Sequence, residues 1–267
     1  MKREDDIRTN VRENYAKVAL KLNSTQDCCT PASSCCNPSE NQKISIEEIS
    51  KKMGYTQEEL SSIPDGANMG LSCGNPQAIA DLKPGEVVVD LGSGGGFDCF
   101  LAAPKVGKTG RVIGIDMTPE MISKARRNAE KPGFEQVEFR LGEIEHMPVA
   151  DNAADIIISN CVINLSPNKA QVFKEAYRIL KTGGRLAISD VVLTAALPES
   201  YLSDMNLYSG CISGAVSIEE YEVLLKDAGF TNISIEPKDE SKEFIREWEP
   251  NYDLENYIVS AIIQAVK

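Results

Sequence analysis

Eight cysteines and a single histidine define the side-chain chemistry that this chain of 267 residues offers. With His146 as the one imidazole, every two-histidine metal site is excluded. A Ser-His-Asp triad would have to recruit that same residue, which in Glu145-His146-Met147-Pro148 reads as an exposed loop position. Thiols are therefore the softest and most reactive groups present. They fall into three sets by their surroundings. Cys28-Cys29 and Cys35-Cys36 are adjacent pairs in a Ser-, Thr-, Asn- and Pro-rich stretch with no hydrophobic period, which reads as a loop. Adjacent cysteines aim two sulfurs poorly at one tetrahedral ion, so structural zinc is the lesser reading of these four. Cys99, beside Phe97 and Phe100, reads as core packing, since buried cysteine behaves as a small hydrophobe. Cys73, Cys161 and Cys211 each stand in short Gly-, Ser- and Asn-containing segments, and together they would suit a soft, thiophilic ligand.

The second chemical feature is Val88-Val89-Asp90-Leu91-Gly92-Ser93-Gly94-Gly95-Gly96-Phe97-Asp98, a glycine loop between a strand-like run and a helical segment. That context gives such a loop its meaning. The dehydrogenase fingerprint G-x-G-x-x-G requires glycine at 97, where Phe97 stands. Asp90 followed by Gly92, Gly94 and Gly96 instead resembles the first motif of Rossmann-like S-adenosylmethionine-dependent methyltransferases. There the loop passes close under the methionine part of the cofactor, where only glycine leaves the backbone enough room. A plain tight turn or another kind of nucleotide loop is the alternative. Asp116 ends the next strand 24 residues after Gly92, close to the ~20 expected of a carboxylate that takes ribose hydroxyls. It could equally be a helix-entry carboxylate. Met117 follows it, and Asn160 stands directly after the fourth strand; both are assigned to the cofactor. By the same resemblance, Gly142-Glu143-Ile144-Glu145 places an acidic side chain on the adenine amino group and a backbone N–H on a ring nitrogen. Glu143 and Ile144 occupy those positions, with Glu145 open as a replacement for Glu143.

These residues need a scaffold, and the hydrophobic pattern supplies one. Val87 to Leu91, Arg111 to Ile115, Val137 to Leu141, Ala154 to Ser159 and Arg185 to Ser189 are strand-length apolar runs. Helical segments alternate with them at Phe97 to Val106, Pro119 to Lys131 and Lys169 to Leu180. Two last strands, near Asn232 to Glu236 and Ile258 to Val266, have no helix between them and form an antiparallel edge pair. The expected fold is α/β: a Rossmann-like class I methyltransferase with a doubly wound, mostly parallel seven-stranded sheet and an antiparallel edge strand. Residues 1–66 read as a lead segment with an amphipathic helix (Ile7, Val11, Tyr15, Val18, Leu22) and a short helix near Ile46 to Met53. Residues 67–267 form the main domain, with an insertion around 194–216 that carries Cys211. Cys161 follows the fourth strand, at the strand-end crevice where open α/β sheets bind ligands. Trp248 reads as a surface anchor on the core, and the acidic stretch Glu236 to Glu247 as a solvated face.

Composition limits the partners. Lys and Arg number 28 against 40 Asp and Glu, a net charge of −12 that leaves no basic footprint for nucleic acid. Hydrophobic residues at 42% and charged residues at 25% are the balance of a globular protein. The longest apolar runs, Asp155 to Cys161 and Ile258 to Val266, fall far short of the ~20 residues of a membrane span. Met1-Lys2-Arg3-Glu4-Asp5-Asp6 carries no apolar leader, so a cytoplasmic, reducing location is expected.

At this point the chain resembles a known family, the microbial arsenite (arsenic(III)) S-adenosylmethionine methyltransferases. The resemblance rests on Leu71-Ser72-Cys73-Gly74-Asn75-Pro76, the Asp90-to-Asp98 loop, Gly114-Ile115-Asp116-Met117-Thr118-Pro119-Glu120-Met121, Ser159-Asn160-Cys161-Val162-Ile163-Asn164-Leu165-Ser166 and Gly210-Cys211, and it spans residues 65–267. It implies that Cys73, Cys161 and Cys211 hold trivalent arsenic as thiolates and that a methyl group passes to arsenite and to methylated arsenicals. It further implies detoxification as the purpose, and a thiol reductant, thioredoxin or glutathione, to restore the trivalent state. An upstream cysteine among Cys28, Cys29, Cys35 and Cys36 would capture arsenic or form a turnover disulfide. Two other readings stay open: a small-molecule carbon or oxygen methyltransferase of the quinone-biosynthesis type, and a non-catalytic thiol sensor or store for arsenic or metal.

Overall fold

A computed structural model describes residues 4–21, 45–249 and 251–267. Cys28, Cys29, Cys35 and Cys36 lie outside the described residues. The N-terminal part carries α1 (Glu4–Lys21), α2 (Ile46–Lys52) and α3 (Gln57–Ser62). Sequence reading missed α3, although its signal is present: Thr56 and Glu59 form a capping box in which each side chain accepts from the other residue's backbone N–H.

The main body alternates β1 (Val87–Leu91), α4 (Phe97–Val106), β2 (Arg111–Asp116), α5 (Pro119–Ala129), β3 (Val137–Leu141), β4 (Ala154–Asn160), α6 (Lys169–Ile179) and β5 (Leu180–Leu193). The insertion adds α7 (Glu199–Leu202) and α8 (Met205–Ser209), and the chain closes with α9 (Ile218–Ala228), β6 (Thr231–Lys238), α10 (Lys242–Ile245) and β7 (Ile258–Val266). The seven strands form one sheet in the order β3-β2-β1-β4-β5-β7-β6. β1 to β5 pair in parallel, whereas β7 runs antiparallel to both β5 and β6. The expected antiparallel pair is therefore at the edge, with β6 outermost. β5 extends past Ser189 because β7 pairs with it as far as Leu193 opposite Ile258.

The two-residue period of a strand divides the core between the two sheet faces. Val88 joins Cys99, Phe100, Ile122 and Ile156 on one face, and Val89 joins Ile113, Ile157, Phe173 and Tyr221 on the other. Cys99 is fully buried, as its place beside two phenylalanines implied. A third cluster sits off the carboxyl ends of the strands and brings together Val11, Cys73, Cys161, Leu207, Cys211 and Ile245. Its members come from α1, the insertion and α10, so the lead segment and the insertion are packed onto the crevice and not merely tethered near it. Ile245 and Ser241 anchor the acidic stretch, while Glu236, Asp239, Glu240, Glu243 and Glu247 face solvent. No helix among the described residues is long and apolar enough to cross a membrane.

Candidate active site

An open cleft of about 1000 Å³ lies off the ends of β1, β2 and β4, lined among others by Asp90, Gly94, Asp116, Met117, Ile144 and Asn160. The glycine loop forms its floor, but its glycines do different things. Gly92 and Gly96 both have positive φ, and a Cβ there would come within 2.4 Å of Val162 and 2.6 Å of Phe100, respectively. Their small size thus serves packing against the protein's own side chains, and Gly92 also lines the cleft. At Gly94 a Cβ would meet only the flexible end of Met69, at 3.3 Å. The N–H of Gly94 donates to Asp116 Oδ2 at 3.0 Å, and that of Thr118 to Oδ1 at 2.8 Å. Burial nevertheless pushes the Asp116 carboxyl up, against these two bonds. Asp90 is buried beneath the loop and accepts the Cys99 thiol at 3.2 Å. Ser93 Oγ, buried and lining the same cleft, has no hydrogen-bond partner among the described residues. An orphaned hydroxyl beside a two-point carboxylate and an open glycine is a donor set that fits the polar parts of S-adenosylmethionine.

Arg8 of α1 contacts both glutamates, Glu145 at 3.2 Å and Glu143 at 3.8 Å. Glu145 is buried, lines the cleft, and accepts from Ser166 Oγ at 2.6 Å and Arg8 Nε at 3.2 Å. Glu143 is absent from the cleft wall and pairs outward with Arg12 at 3.1 Å. Of the two glutamates, Glu145 lines the cleft, and so does Ile144. Arg8, Val11 and Tyr15 of α1 also line this cleft, a role the sequence signalled only as the apolar stripe of an amphipathic helix.

The three cysteines converge. Cys161 begins directly after β4 with φ of 58°, and Cys211 follows α8 with φ of 65°. Left-handed backbone at two non-glycine residues costs energy and is retained where the surroundings fix it, often at a working site. The Cys161 N–H donates to the Ser189 carbonyl at 2.8 Å, and the Cys73 thiol approaches that same carbonyl at 3.6 Å. Cys211 Sγ donates to the Cys161 carbonyl at 2.7 Å. The Cys161 thiol interacts with those of both Cys73 and Cys211. Burial pushes the Cys73 thiol up to about 11. The bond to Cys161, then burial, raises that of Cys211; for Cys161, the lowering bond from Cys211 is outweighed by Cys73 and burial.

A second cavity, about 700 Å³, opens beside this cluster and is lined by Tyr15, Leu71, Cys161, Cys211 and Trp248. Trp248 does pack on the core, through Phe244, but it also walls this cavity. Among the described cysteines, Cys161 alone lies on both cavities. Behind the cluster, Asn160 ties Cys73 down. Its Oδ1 accepts the Cys73 N–H at 3.1 Å, and its amide nitrogen donates to the Gly74 carbonyl at 3.0 Å, Tyr55 Oη at 2.9 Å and Asp98 Oδ2 at 3.1 Å. Tyr55 completes the network with a 3.0 Å bond to Asp98 Oδ1. Sequence reading gave neither Tyr55 nor Asp98 a role, because nothing local marks a residue whose partners lie 43 and 105 positions away.

Comparison with known proteins agrees with this arrangement. A family profile described as a methyltransferase domain matches residues 82–229. The arsenite methyltransferase of Halobacterium salinarum is 50% identical over 98% of the chain, which spans 67% of that protein. That of Aquipseudomonas alcaligenes is 45% identical over 57% of the chain, which spans 46% of it. The crystal structure of an arsenic(III) S-adenosylmethionine methyltransferase from Chlamydomonas reinhardtii superimposes with a TM-score of 0.59 at 30% identity, covering 82% of this chain and 72% of that one.

Proposed function

The chain belongs to the arsenite methyltransferase family, and from that premise we propose that it moves a methyl group from S-adenosylmethionine to trivalent arsenic held by Cys73, Cys161 and Cys211. The observation that carries this reading is the position of Cys161, whose side chain is shared by the glycine-loop cleft and the thiol-lined cavity. A donor in the first and an acceptor on the thiols would meet there.

Each division of labour follows from the residues. Gly94, Asp116, Ser93 and Glu145 would hold the cofactor, with Asp116 on the ribose and Glu145 on the adenine amino group. When bound, S-adenosylmethionine supplies an electrophilic methyl on a sulfonium, which arsenic accepts on its lone pair. The cysteines take up arsenite by condensation: each As–OH and HS–Cys pair gives one As–S bond and one water. Three sulfurs on one side of the arsenic leave its lone pair on the other, so positioning is the protein's main catalytic contribution. No general base is needed at arsenic, which loses no proton. Because methylation uses the lone pair, arsenic becomes pentavalent, and a thiol reductant such as thioredoxin or glutathione would return it to the trivalent state. A cytoplasmic detoxification role accords with that need for reduced thiols.

The test is to incubate the protein with arsenite, a thiol and labelled S-adenosylmethionine, and to speciate the arsenic. Labelled methylarsenicals are expected, and none with Cys161→Ser. Cofactor binding without methylated arsenic would move the assignment to a carbon or oxygen acceptor. Absence of S-adenosylmethionine binding by calorimetry would leave a thiol sensor.

A further inference from the structure

The thiol cluster contains a donor that trivalent arsenic does not use. Asp190, on β5, is completely buried, and one of its carboxylate oxygens lies with Cys73 Sγ and Cys161 Sγ in a group whose ligand atoms are all within 4.8 Å of one another. Arsenic(III) is satisfied by three soft sulfurs and must keep its lone pair directed at the methyl donor, so a hard oxygen beside it adds nothing to ligation. The carboxylate is only half accounted for by the fold. Oδ1 accepts from Val191 N at 2.9 Å and Asn164 Nδ2 at 3.0 Å, whereas Oδ2 has the longer approach of Tyr221 Oη, 3.4 Å. Lys169 is the cation that acts on the Asp190 carboxylate, but among the described residues no direct salt bridge joins them, and a buried carboxylate without a directly paired charge is costly.

Two sulfurs and one carboxylate oxygen, spaced for a single small ion and shielded from solvent, are the donor set of a thiophilic divalent cation of the zinc class. We propose that Cys73, Cys161 and Asp190 bind such a cation, with Cys211 available as a fourth donor, and that it competes with arsenite for the two shared thiols. A divalent ion would bind the carboxylate directly, which neutral, thiol-bound arsenic does not. The proposal rests on the geometry of the cluster and does not require the arsenic reading, since Zn²⁺ and arsenite binding are measured separately.

The experiment uses the full chain carrying Cys28→Ser, Cys29→Ser, Cys35→Ser and Cys36→Ser, so that other thiols do not contribute. Titration with Co²⁺ reports thiolate–metal charge-transfer absorption, and Zn²⁺ affinity follows from displacement of Co²⁺. One equivalent is expected, lost with Cys73→Ser or Cys161→Ser and displaced by arsenite. Asp190→Asn keeps the shape and the Oδ1 acceptor; it should weaken Zn²⁺ roughly 10–100-fold while arsenite affinity, read separately, stays within about threefold. Should Asp190→Asn fold poorly, X-ray absorption of the zinc-loaded chain decides in its place: mixed sulfur and oxygen coordination supports the site. Absence of the charge-transfer band, its survival in both cysteine variants, equal weakening of Zn²⁺ and arsenite by Asp190→Asn, or sulfur-only zinc coordination would each overturn the proposal.

Discussion

Removing the side chain of Asn160 separates arsenite from its monomethyl product as ligands. Asn160→Ala leaves the Cys73 N–H, the Gly74 carbonyl and Asp98 Oδ2 each without the partner they have now. An orphaned buried polar group costs ~1–3 kcal/mol, so three at the lower figure destabilise the fold by about 3 kcal/mol. In a chain of this size that lowers the melting temperature by roughly 6 °C. The site suffers more specifically. Cys73 and Gly74 are no longer fixed to the end of β4, and arsenic must order them on binding. Fixing two backbones costs ~1–2 kcal/mol each, which corresponds to an arsenite Kd raised roughly 30–1000-fold. Monomethylarsenite has two positions left for thiols, and Cys161 with Cys211 can fill both, so its affinity should change less than about threefold. Trp248 is the single tryptophan and borders the cavity at Cys211, so its fluorescence can follow both titrations. A folded Asn160→Ala chain that binds arsenite as tightly as the wild type would refute the positioning of Cys73. Equal loss of both arsenicals would mean that the cysteines do not divide the ligands in this way.

Asp116→Ala should weaken S-adenosylmethionine by ~1–3 kcal/mol in calorimetry and leave arsenite binding unchanged; an unaltered cofactor Kd rejects the ribose role. Glu145→Gln should weaken the cofactor roughly tenfold, with Glu143→Gln near wild type, and the reverse order would return the adenine contact to Glu143. Burial holds the carboxyls of both Asp98 and Asp190 up at about 6, despite hydrogen bonds to each that oppose it. A raised folded pKa means the native state binds the proton more tightly, so stability increases as pH falls from 7.5 toward 5, by roughly 1.4 kcal/mol per group over that interval. Glu86 and Glu175, both lowered, one despite burial and the other chiefly by Arg178, reverse the trend below about pH 4.5. A melting temperature that falls steadily between pH 7.5 and 5.5 contradicts this. The sequence suggests that arsenite affinity climbs toward the ordinary thiol value of ~8.5. Burial holds the Cys73 thiol at about 11, and condensation of a thiol with As–OH releases water and no proton, so affinity should instead be flat from pH 6 to 8. A steep rise across that interval would show that a thiolate is already present in the free site.

The chain's local order was written in its residues. β-branched runs alternating with amphipathic segments specify a doubly wound sheet, because each strand can bury both faces only between helices. Asp90, the glycines after β1, and Asp116 at the end of β2 were legible as a cofactor loop, since backbone conformation and strand ends are short-range properties. Cys73, Cys161 and Cys211 were legible as residues, and the strand-end rule placed one of them at the crevice.

What tertiary structure alone decided is direction and neighbourhood. Glu143 and Glu145 are indistinguishable in sequence; in the fold Glu145 is buried against Ser166 and Arg8, whereas Glu143 pairs with Arg12. Gly92 lines the cleft, and only the fold shows that Val162, 70 residues on, fills the space where its Cβ would be. The thiols became one cluster only when Ser189 on β5 drew Cys73 and Cys161 to the same carbonyl and the insertion laid Cys211 against Cys161. Local sequence sets backbone preference over a few residues. Which side chains share a solvent-free volume, and hence how far a thiol or carboxyl is moved from its ordinary protonation, is set by packing between segments tens to more than a hundred positions apart.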